Sequence, residues 1–302
     1  MQDALGEVRN QAVKGPGVTY LPPEITDWLH EVLGEQAPLR VRGMHGSRLA
    51  SVHSLTSPAG DPLVLRWFKD WPAPFTEEEH PATLARREAL ALAVLGRSPV
   101  PAPSLIAWQR GGPVLLSKRL PGRTRMEPPD HGAIRAVLDE LHATPPGDLA
   151  EWSYRGYHEG EVLVRPAWWD DHSIWDRARS ATETARPVGP PVFLHRDFHA
   201  GNLLWTGRQL SGIVDWGQAC VGPAEFDAAH WRVNHAILHG CEAIPTEMAG
   251  DPAWDIEAAF GIFDGWDQRV VDGWRGPWDH INAASSRRRL EAFVARALAE
   301  LG

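Results

Sequence analysis

The first 118 residues alternate between apolar and polar positions in short runs, and turn residues separate these runs. A period of two with Gly, Pro and Ser between the runs is typical of an antiparallel sheet. Five strands are predicted, at residues 39–43, 49–55, 63–68, 105–108 and 113–118. Apolar residues at helical spacing predict a helix over 81–96, and a shorter helix with proline in its first turn is predicted over 25–33.

Beyond residue 118 the apolar positions recur mainly at helical spacing. Four helices are predicted, at residues 131–142, 224–239, 255–273 and 281–300. A strand at 192–194 and a hairpin over 203–214 interrupt this pattern, whereas 145–190 is rich in Trp, Pro, Gly and charge and predicts no element. We therefore expect an α+β protein in which a mostly β part, 1–117, precedes a mostly helical part, 118–302.

The composition is ordinary for a globular chain: 302 residues, 43% hydrophobic and 23% charged. A net charge of −9 makes nucleic acid and anionic membranes poor partners, and we expect neither. Cys220 and Cys241 are too few for a disulfide scaffold and lack metal-ligand spacing. Without a signal peptide or an apolar run near the ~20 residues of a membrane span, a cytoplasmic protein is expected, as a monomer or homodimer.

The strongest chemical signal is the segment 195–202, HRDFHAGN, which has the form H-R-D-x-x-x-x-N. Thirteen residues after Asn202 comes Asp215, in the triplet Asp-Trp-Gly, and the predicted hairpin would return Asp215 to Asn202. A phosphoryl group in transfer is loosely bonded and highly charged, so a protein mainly positions the reactants and neutralises charge. We interpret Asp197 as the carboxylate that orients an attacking hydroxyl and accepts its proton. Asn202 and Asp215 are then oxygen ligands of Mg²⁺.

A second interpretation of the same segment takes His195, Asp197 and His199 as an H-x-D-x-H ligand set for zinc or manganese. Alternate residues of an extended segment could converge on one ion. That interpretation leaves Asn202 and Asp215 without a role. His195 also follows an apolar strand, which favours a buried, hydrogen-bonded ring that supports the site.

With these motifs the chain resembles the aminoglycoside phosphotransferase and choline kinase superfamily of small-molecule kinases. The resemblance covers roughly residues 38–300 and is strongest around the loop, FLHRDFHAGNLLW, and around Asp215, GIVDW. Eukaryotic protein kinases share the loop, but this chain has no Ala-Pro-Glu segment and has Trp216 where they have phenylalanine. The resemblance implies a bilobal, protein-kinase-like fold, with a nucleotide-binding lobe at 1–117 and a catalytic, substrate-binding lobe at 118–302.

The same resemblance implies a nucleotide site between the lobes. Gly46 and Ser47, in the turn between the first two strands, would let backbone N–H groups approach the phosphates. Val64 and Arg66 share one face of the third strand. Val64 would cover the adenine, and Arg66, where kinases carry a lysine, would bind the phosphates through its planar fork. Lys69 takes that role if the strand register differs.

Further expectations concern residues that support this site. Glu88, on the helix at 81–96, would hold Arg66 towards the phosphates. Backbone groups from Ser117 to Arg119, between the lobes, would bind the adenine edge. Asp227 lies at the start of a helix and, in the resembled family, braces the catalytic loop through hydrogen bonds, although a helix dipole alone would favour an acid there.

The expected reaction is Mg²⁺-dependent transfer of the γ-phosphoryl group of ATP or GTP to a hydroxyl of a small molecule. An aminoglycoside or related antibiotic is the first expectation for this acceptor. The alternatives are choline, another amino-alcohol or a sugar, or a catalytically silent nucleotide-binding protein. Trp168 and Trp169, followed by Asp170 and Asp171, could line a ligand pocket. Acids of the helical part could bind an amine-rich acceptor, namely Asp170, Asp171, Asp264, Asp267 and Asp272.

Overall fold

The computed structural model describes residues 20–34, 40–44, 49–57, 59–69, 80–128, 130–156, 164–169, 171–184, 189–263 and 283–302. Its strands are β1 (Arg42–Met44), β2 (Ala50–Thr56), β3 (Pro62–Phe68), β4 (Leu105–Trp108), β5 (Val114–Lys118), β6 (Arg123–Thr124), β7 (Val192–Leu194), β8 (Leu203–Thr206), β9 (Gln209–Ile213) and β10 (Cys220–Gly222). Its α-helices are α1 (Pro23–Leu33), α2 (Pro81–Leu95), α3 (His131–Ala143), α4 (His172–Thr184), α5 (Glu225–His239), α6 (Pro252–Phe263) and α7 (Ala283–Leu301). The α+β prediction is confirmed.

The first five strands form one antiparallel sheet in the order β1-β2-β3-β5-β4. Alternate residues of its central strands face α1, where Leu63, Leu65 and Leu116 pack with Ile25 and Leu29. All five side chains are buried. This one-sided burial is the reason why a period of two predicts the strands. Four of the five predicted strands are confirmed to within one residue at each end, whereas the first begins at Arg42, three residues later than predicted.

Helix α2 packs on the same sheet through Leu84 and Ala85, which contact Ala50 and Phe68. These four residues are buried, and so is Glu88 farther along the helix, with 2% of its surface exposed. A buried acid is costly unless a cation or hydrogen-bond donor accompanies it. Packing of α2 therefore places the carboxylate of Glu88 beside Arg66 of β3, where the sheet borders the second half of the chain.

The second half of the chain is mostly helical, and α5, α6 and α7 pack against one another. Helix α4 lies within 145–190, where the sequence predicts no element. Its Trp175 contacts Trp169, with ring centroids 5.5 Å apart, and Phe260 of α6, at 4.9 Å. Trp169 is 1% exposed. The expectation that Trp169 lines an open pocket is therefore wrong, because its ring belongs to the hydrophobic core.

Two short sheets position the H-R-D-x-x-x-x-N segment. Strand β7 precedes the segment and pairs with β10, while β8 follows it and pairs with β6 and β9. In the β8–β9 hairpin Leu203 pairs with Ile213, and the amide of Val214 donates to the carbonyl of Asn202 at 3.0 Å. The predicted hairpin is confirmed, and it returns the chain to Asn202 one residue before Asp215.

Candidate active site

A carboxylate from the following helix holds the backbone of the loop. Asp227, in the first turn of α5 and fully buried, accepts hydrogen bonds from the amides of His195 and Arg196, both at 2.8 Å. Nε2 of His142 lies 3.5 Å from the same carboxylate. Arg196 has a φ of 69°, in the left-handed region that residues with side chains rarely adopt. Two charge-assisted bonds to one carboxylate keep this turn in its strained conformation.

His195 is fully buried under the loop, and both of its ring nitrogens are engaged. Nε2 lies 3.0 Å from the carbonyl of Val214, and Nδ1 accepts from the amide of Asp197 at 3.2 Å. These partners assign a neutral ring protonated on Nε2. Burial lowers the pKa of His195, against the opposing effect of Asp227 and Asp197.

A ring engaged in this way cannot ligate a metal ion, so the H-x-D-x-H interpretation of His195, Asp197 and His199 is wrong. Metal ligation by histidine requires a free lone pair on one ring nitrogen. Here Nδ1 of His195 uses its lone pair for the amide of Asp197, and Nε2 carries the proton. Within the described ranges, no cluster of three or more His, Cys, Asp or Glu residues could hold a metal.

Asp197 keeps 31% of its side chain exposed. Its Oδ1 atom lies 3.2 Å from Nε2 of His230 and 3.5 Å from Nε2 of His199, and its Oδ2 atom lies 3.3 Å from Nδ2 of Asn202. Burial opposes ionisation, but the electrostatic and hydrogen-bond contributions of His199 and His230 outweigh it. Together they hold the pKa of Asp197 well below its usual range. The carboxylate is therefore ionised and can accept a proton.

Asn202 is oriented by hydrogen bonds back to its own loop. Nδ2 donates to the backbone carbonyl of Asp197 at 2.9 Å, besides its contact with the carboxylate. The backbone carbonyl of Asn202 accepts from Val214, which fixes the chain just before Asp215. Because the amide nitrogen is used as a donor, the side-chain oxygen of Asn202 remains available as an acceptor or a ligand.

Arg66 joins β3 to the Asp-Trp-Gly turn. Its Nη2 atom contacts Oδ1 of Asp215, and its Nε atom lies 3.1 Å from Oε2 of Glu88. One guanidinium, 7% exposed, is thus shared by two carboxylates. The strand register that places Arg66 beside Glu88 is as predicted. Lys69 lies instead over the ring of Trp67, at 4.6 Å, and is separate from the cluster.

The cluster of Arg66, Asp215 and Glu88 contains two acids and one base. Burial raises the pKa of Glu88 to about 7, while Arg66 opposes this rise and Asp215 adds to it. Burial alone would lower the pKa of Arg66, because it disfavours the charged form. The opposite charges of Asp215 and Glu88 outweigh this effect, so the pKa of Arg66 is raised. Ionisation of all three groups leaves an excess of negative charge in a buried place, which a nearby cation would relieve.

Gly217 lets the Asp-Trp-Gly turn approach this cluster closely. A Cβ atom at position 217 would lie 3.1 Å from Cε1 of Phe68 and 3.7 Å from Oε2 of Glu88. On the other side, Trp216 is fully buried and its Nε1 donates to the carbonyl of Ile213 at 2.9 Å. The turn is therefore fixed between the two halves of the chain, with Asp215 at a φ of 70°.

In the segment that joins the two halves of the chain, residues 117–119, two backbone amides already make hydrogen bonds within the protein. The amide of Lys118 donates to the carbonyl of Ser104 at 2.8 Å, and the amide of Arg119 donates to the carbonyl of Pro62 at 2.9 Å. Ser117, on β5, is 3% exposed. Neither of these two N–H groups is available to an adenine ring, so Lys118 and Arg119 could bind its edge only through their backbone carbonyl groups.

Val64 lies on the same strand face as Arg66, two residues before it, and pairs with Ser117 across the β3–β5 ladder. It is partly buried, so part of its side chain is open to a ligand. Gly46 and Ser47, the predicted phosphate turn, lie outside the described residues.

The residues expected around an acceptor are separate from this cluster or not described. Asp171 is exposed, and its carboxylate accepts from the amides of Ser173 at 2.9 Å and Ile174 at 3.1 Å at the start of α4. It therefore caps a helix. Trp168 is partly buried, with the guanidinium of Arg287 5.3 Å from its ring centroid. The other predicted acids lie outside the described residues: Asp170, Asp264, Asp267 and Asp272.

The motif alone does not identify the roles of two histidines. His230 lies on α5 three residues after Asp227, and a motif search ignores it because it lies 33 residues beyond Asp197, outside the H-R-D-x-x-x-x-N segment. Residues at i and i+3 share a helix face, so a helix that braces the loop at Asp227 also turns residue 230 towards it. His199 is in the motif, and its Nδ1 atom accepts from the amide of Gly201 at 3.0 Å.

The residues around Asp215 fit a magnesium ion. Asp215 offers a partly exposed carboxylate, Asn202 offers an amide oxygen, and Val214 links the two through the backbone. Magnesium in nucleotide sites usually takes one or two protein oxygen ligands and completes its shell with phosphate and water. The negative excess around Arg66 favours a cation at the same place.

The sheet, the helical half and the loop between them define a protein-kinase-like fold. The chain matches the family model described as the phosphotransferase enzyme family over residues 51–293, and it belongs to that family. The aminoglycoside phosphotransferase APH(4)-Ia, solved with ADP and hygromycin B, is 17% identical with a TM-score of 0.57; the match covers 91% of this chain and 98% of that one. A choline/ethanolamine kinase family protein from Mesorhizobium loti is 19% identical with a TM-score of 0.54, covering 92% and 100%.

Among curated proteins, the homoserine kinase of Pseudomonas aeruginosa is 29% identical to this chain. The alignment covers 39% of this chain and 41% of the kinase, so the match spans less than half of that relative's length. In the part of the chain that the structure describes, no helix is long and apolar enough to cross a bilayer.

Proposed function

We propose that the chain is a small-molecule kinase that transfers the γ-phosphoryl group of ATP, or of GTP, to a hydroxyl group. The arrangement around Asp197 carries this proposal. Its ionised carboxylate lies beside two histidines and accepts from Nδ2 of Asn202, and the backbone carbonyl of Asn202 accepts from the amide of Val214, the neighbour of Asp215. A proton-accepting carboxylate next to oxygen ligands for a metal is what phosphoryl transfer to a hydroxyl requires. Membership of the phosphotransferase enzyme family supports the same reaction.

In the proposed reaction Asp197 orients the acceptor hydroxyl and takes its proton. The hydroxyl oxygen bonds to the γ-phosphorus as the bond from phosphorus to the bridging oxygen breaks, and ADP leaves. Arg66 neutralises phosphate charge, and Glu88, 3.1 Å from its Nε atom, holds the guanidinium in place. Asn202 and Asp215 would hold Mg²⁺, which neutralises charge on the phosphates when bound.

The nucleotide is proposed to lie between an N-terminal lobe, 1–117, and a C-terminal lobe, 118–302. Val64 would cover the adenine from β3, and the carbonyl groups of the segment after β5 would accept from its amino group. Backbone amides at Gly46 and Ser47 would approach the phosphates. Guanine presents different edge groups, so the same pocket would decide between ATP and GTP.

An aminoglycoside or related antibiotic is our first proposal for the acceptor. The supporting observations are the similarity in fold to APH(4)-Ia, whose solved complex contains hygromycin B, and the net charge of −9, which favours a cationic acceptor. A small metabolite with a hydroxyl is the second proposal. The sequence similarity to homoserine kinase favours an amino acid or amino-alcohol within that class.

The test is Mg²⁺-dependent formation of ADP from ATP with a panel of acceptors: aminoglycosides including hygromycin B, macrolides, choline, homoserine and sugars. Each active acceptor is then tested with Asp197→Asn, which we expect to lower kcat by about 100-fold or more while nucleotide still binds. Asp176→Asn, a change at an exposed aspartate of α4, is the matched control and should leave kcat unchanged. Nucleotide binding without turnover on any acceptor would reject these acceptors and leave a catalytically silent protein or an acceptor outside the panel.

A further inference from the structure

Helix α5 contacts the loop at two points, one turn apart. Asp227 holds the backbone amides of His195 and Arg196, and His230 places Nε2 3.2 Å from Oδ1 of Asp197. His230 is 5% exposed, so its ring is fixed by packing. Phe226, one turn earlier on the same helix, lies with its ring centroid 5.8 Å from that of His230.

The partners of His230 assign its tautomer. Among the described residues, its Nδ1 atom is buried and has no hydrogen-bond partner. A proton on Nδ1 would therefore be a buried donor without an acceptor, which costs more than leaving that nitrogen unprotonated. The proton lies on Nε2 and is donated to Oδ1 of Asp197. The ring is a donor aimed at one atom of the carboxylate.

The two oxygens of Asp197 have different surroundings as a result. Oδ1 faces Nε2 of His230 at 3.2 Å and Nε2 of His199 at 3.5 Å. Nδ1 of His199 accepts from the amide of Gly201, which places the proton of a neutral His199 ring on Nε2, 3.5 Å from Oδ1 and 3.3 Å from Nδ2 of Asn202. Oδ2 has only Nδ2 of Asn202, at 3.3 Å, among the described side chains. Oδ2 is therefore the oxygen left to accept a proton from a substrate.

We propose that His230 is a positioning residue for phosphoryl transfer: its Nε2–H fixes Oδ1 of Asp197 so that Oδ2 faces the acceptor hydroxyl. This inference rests on the proposed kinase function. His230 acts through Asp197. Loss of the ring would let the carboxylate rotate, so fewer encounters would have the geometry for proton transfer. The rate of the chemical step should fall, while binding of ATP and acceptor should hardly change.

The experiment compares His230→Gln with His230→Asn. The glutamine amide nitrogen can reach the position of Nε2, whereas the shorter asparagine places its amide nitrogen near that of Nδ1. With an acceptor from the panel, we expect His230→Asn to lower kcat about tenfold or more, with both KM values within about twofold, and His230→Gln to recover most of that loss. His235→Asn is the control, because His235 is buried on the same helix but places Nε2 3.0 Å from the carbonyl of Ala243.

Equal kcat values for His230→Asn, His230→Gln and the wild type would overturn the proposal. So would an equal loss in both variants, since that result indicates a packing role. A loss in His235→Asn as large as in His230→Asn would also overturn it, because it would reflect damage to α5 in general.

A second measurement does not depend on turnover. Ring nitrogen shifts from ¹⁵N-labelled protein, assigned to His230 by their disappearance in His230→Gln, report which nitrogen is protonated. We expect the Nε2–H form, with an Nε2 shift that moves in Asp197→Asn. An Nδ1–H ring, or one that does not respond to Asp197→Asn, overturns the inference even in an active kinase. The expected shifts in a protein without turnover would support the contact and reject the kinase function.

Discussion

Asp227 is a single residue on which the geometry of the loop depends. Its two oxygens each accept an amide at 2.8 Å, from His195 and from Arg196, in a fully buried place. Asp227→Asn has the same shape but turns an NH₂ group towards one of these amides, which loses its acceptor. We expect the free energy of unfolding to fall by about 2 kcal/mol. The value of kcat should fall as well, because Asp197 directly follows this turn.

Urea unfolding and ADP formation measure the two effects of Asp227→Asn. Asp27→Asn, at an exposed aspartate of α1, is the control and should change the free energy of unfolding by less than about 0.5 kcal/mol. If Asp227→Asn has wild-type stability, the helix dipole, and not the hydrogen bonds from the two backbone amides, is the reason for an acid at this position.

Glu88 makes stability depend on pH. Its pKa in the folded protein is about 7, above the ordinary value of 4.5. The folded chain therefore holds this proton more tightly than the unfolded chain does. The stability it contributes is full below its ordinary pKa and is lost as the pH rises through about 7. We expect Glu88→Gln to remove this dependence, which amounts to at most roughly 3 kcal/mol.

The measurement for Glu88 is urea unfolding of wild type and Glu88→Gln at pH 4.5 and pH 8, without nucleotide or metal. The stability of the wild type relative to Glu88→Gln should be larger at pH 4.5 than at pH 8. Glu140→Gln, at an exposed glutamate of α3, should give the same difference from wild type at both pH values. If the stability difference between wild type and Glu88→Gln is also the same at both pH values, Arg66 keeps Glu88 ionised throughout this range.

At the scale of elements, the Asp-Trp-Gly turn approaches β3 and α2 through Gly217. A Cβ there would lie 3.1 Å from Cε1 of Phe68, closer than an ordinary contact. We expect Gly217→Ala to lower the free energy of unfolding by about 1 kcal/mol, since Phe68 is buried and has little room to move. Thermal unfolding measures the loss of stability, and ADP formation measures its effect on the site.

The control for Gly217→Ala is Gly96→Ala, at the end of α2. Gly96 has a φ of −61°, and its added Cβ would meet the carbonyl of Leu92 at 3.4 Å, an ordinary contact. An alanine there should be neutral or slightly stabilising because it restricts the unfolded chain. If the two substitutions have the same effect, close approach at Gly217 does not matter.

Elements with one buried face were predictable from the sequence, and those held by their neighbours were not. The β8–β9 hairpin was predicted because apolar runs flank a Thr206-Gly207 turn, and Gly207 has the positive φ, 62°, that this turn needs. Helix α4 was missed because its surroundings are rich in Pro and Trp. Its burial depends on a distant partner, Phe260, which no local pattern shows.

The same distinction applies to the site. Asp197, Asn202 and Asp215 could be proposed from the sequence because the loop and hairpin between them fix their spacing. His230 was not predicted because it reaches Asp197 from a helix 33 residues away, outside the motif. The internal use of the Lys118 and Arg119 amides also depends on the arrangement of neighbouring strands, which periodicity does not specify.

For the whole molecule, a nucleotide and Mg²⁺ bound across Arg66 and Asp215 should stabilise the fold, because they bind only the folded chain. At a ligand concentration 100 times Kd the gain is about 2.7 kcal/mol. We expect ATP with Mg²⁺ to raise Tm clearly more than ATP with EDTA. Asp215→Asn should abolish most of this difference, because its neutral amide is a weaker ligand. Thermal unfolding of both proteins under both conditions checks this.

The control for the Tm measurement is Asp251→Asn, at the residue just before α6, which should retain the full effect of Mg²⁺. An equal rise in Tm with ATP in EDTA would indicate that the metal is not held at Asp215. In that case the nucleotide alone would account for the stabilisation.

The arginine in β3 changes how the protein would behave in chemical proteomics. Reagents that label kinases through a nucleotide carrying an electrophile form a covalent bond with an amine nucleophile near the phosphates. A guanidinium is always protonated and is a poor nucleophile, and the only lysines of the chain are Lys14, Lys69 and Lys118. Lys69 is turned onto Trp67, away from Arg66. Probes that depend on an amine at the position of Arg66 would therefore find none there, and a survey of a proteome with such probes would undercount this protein.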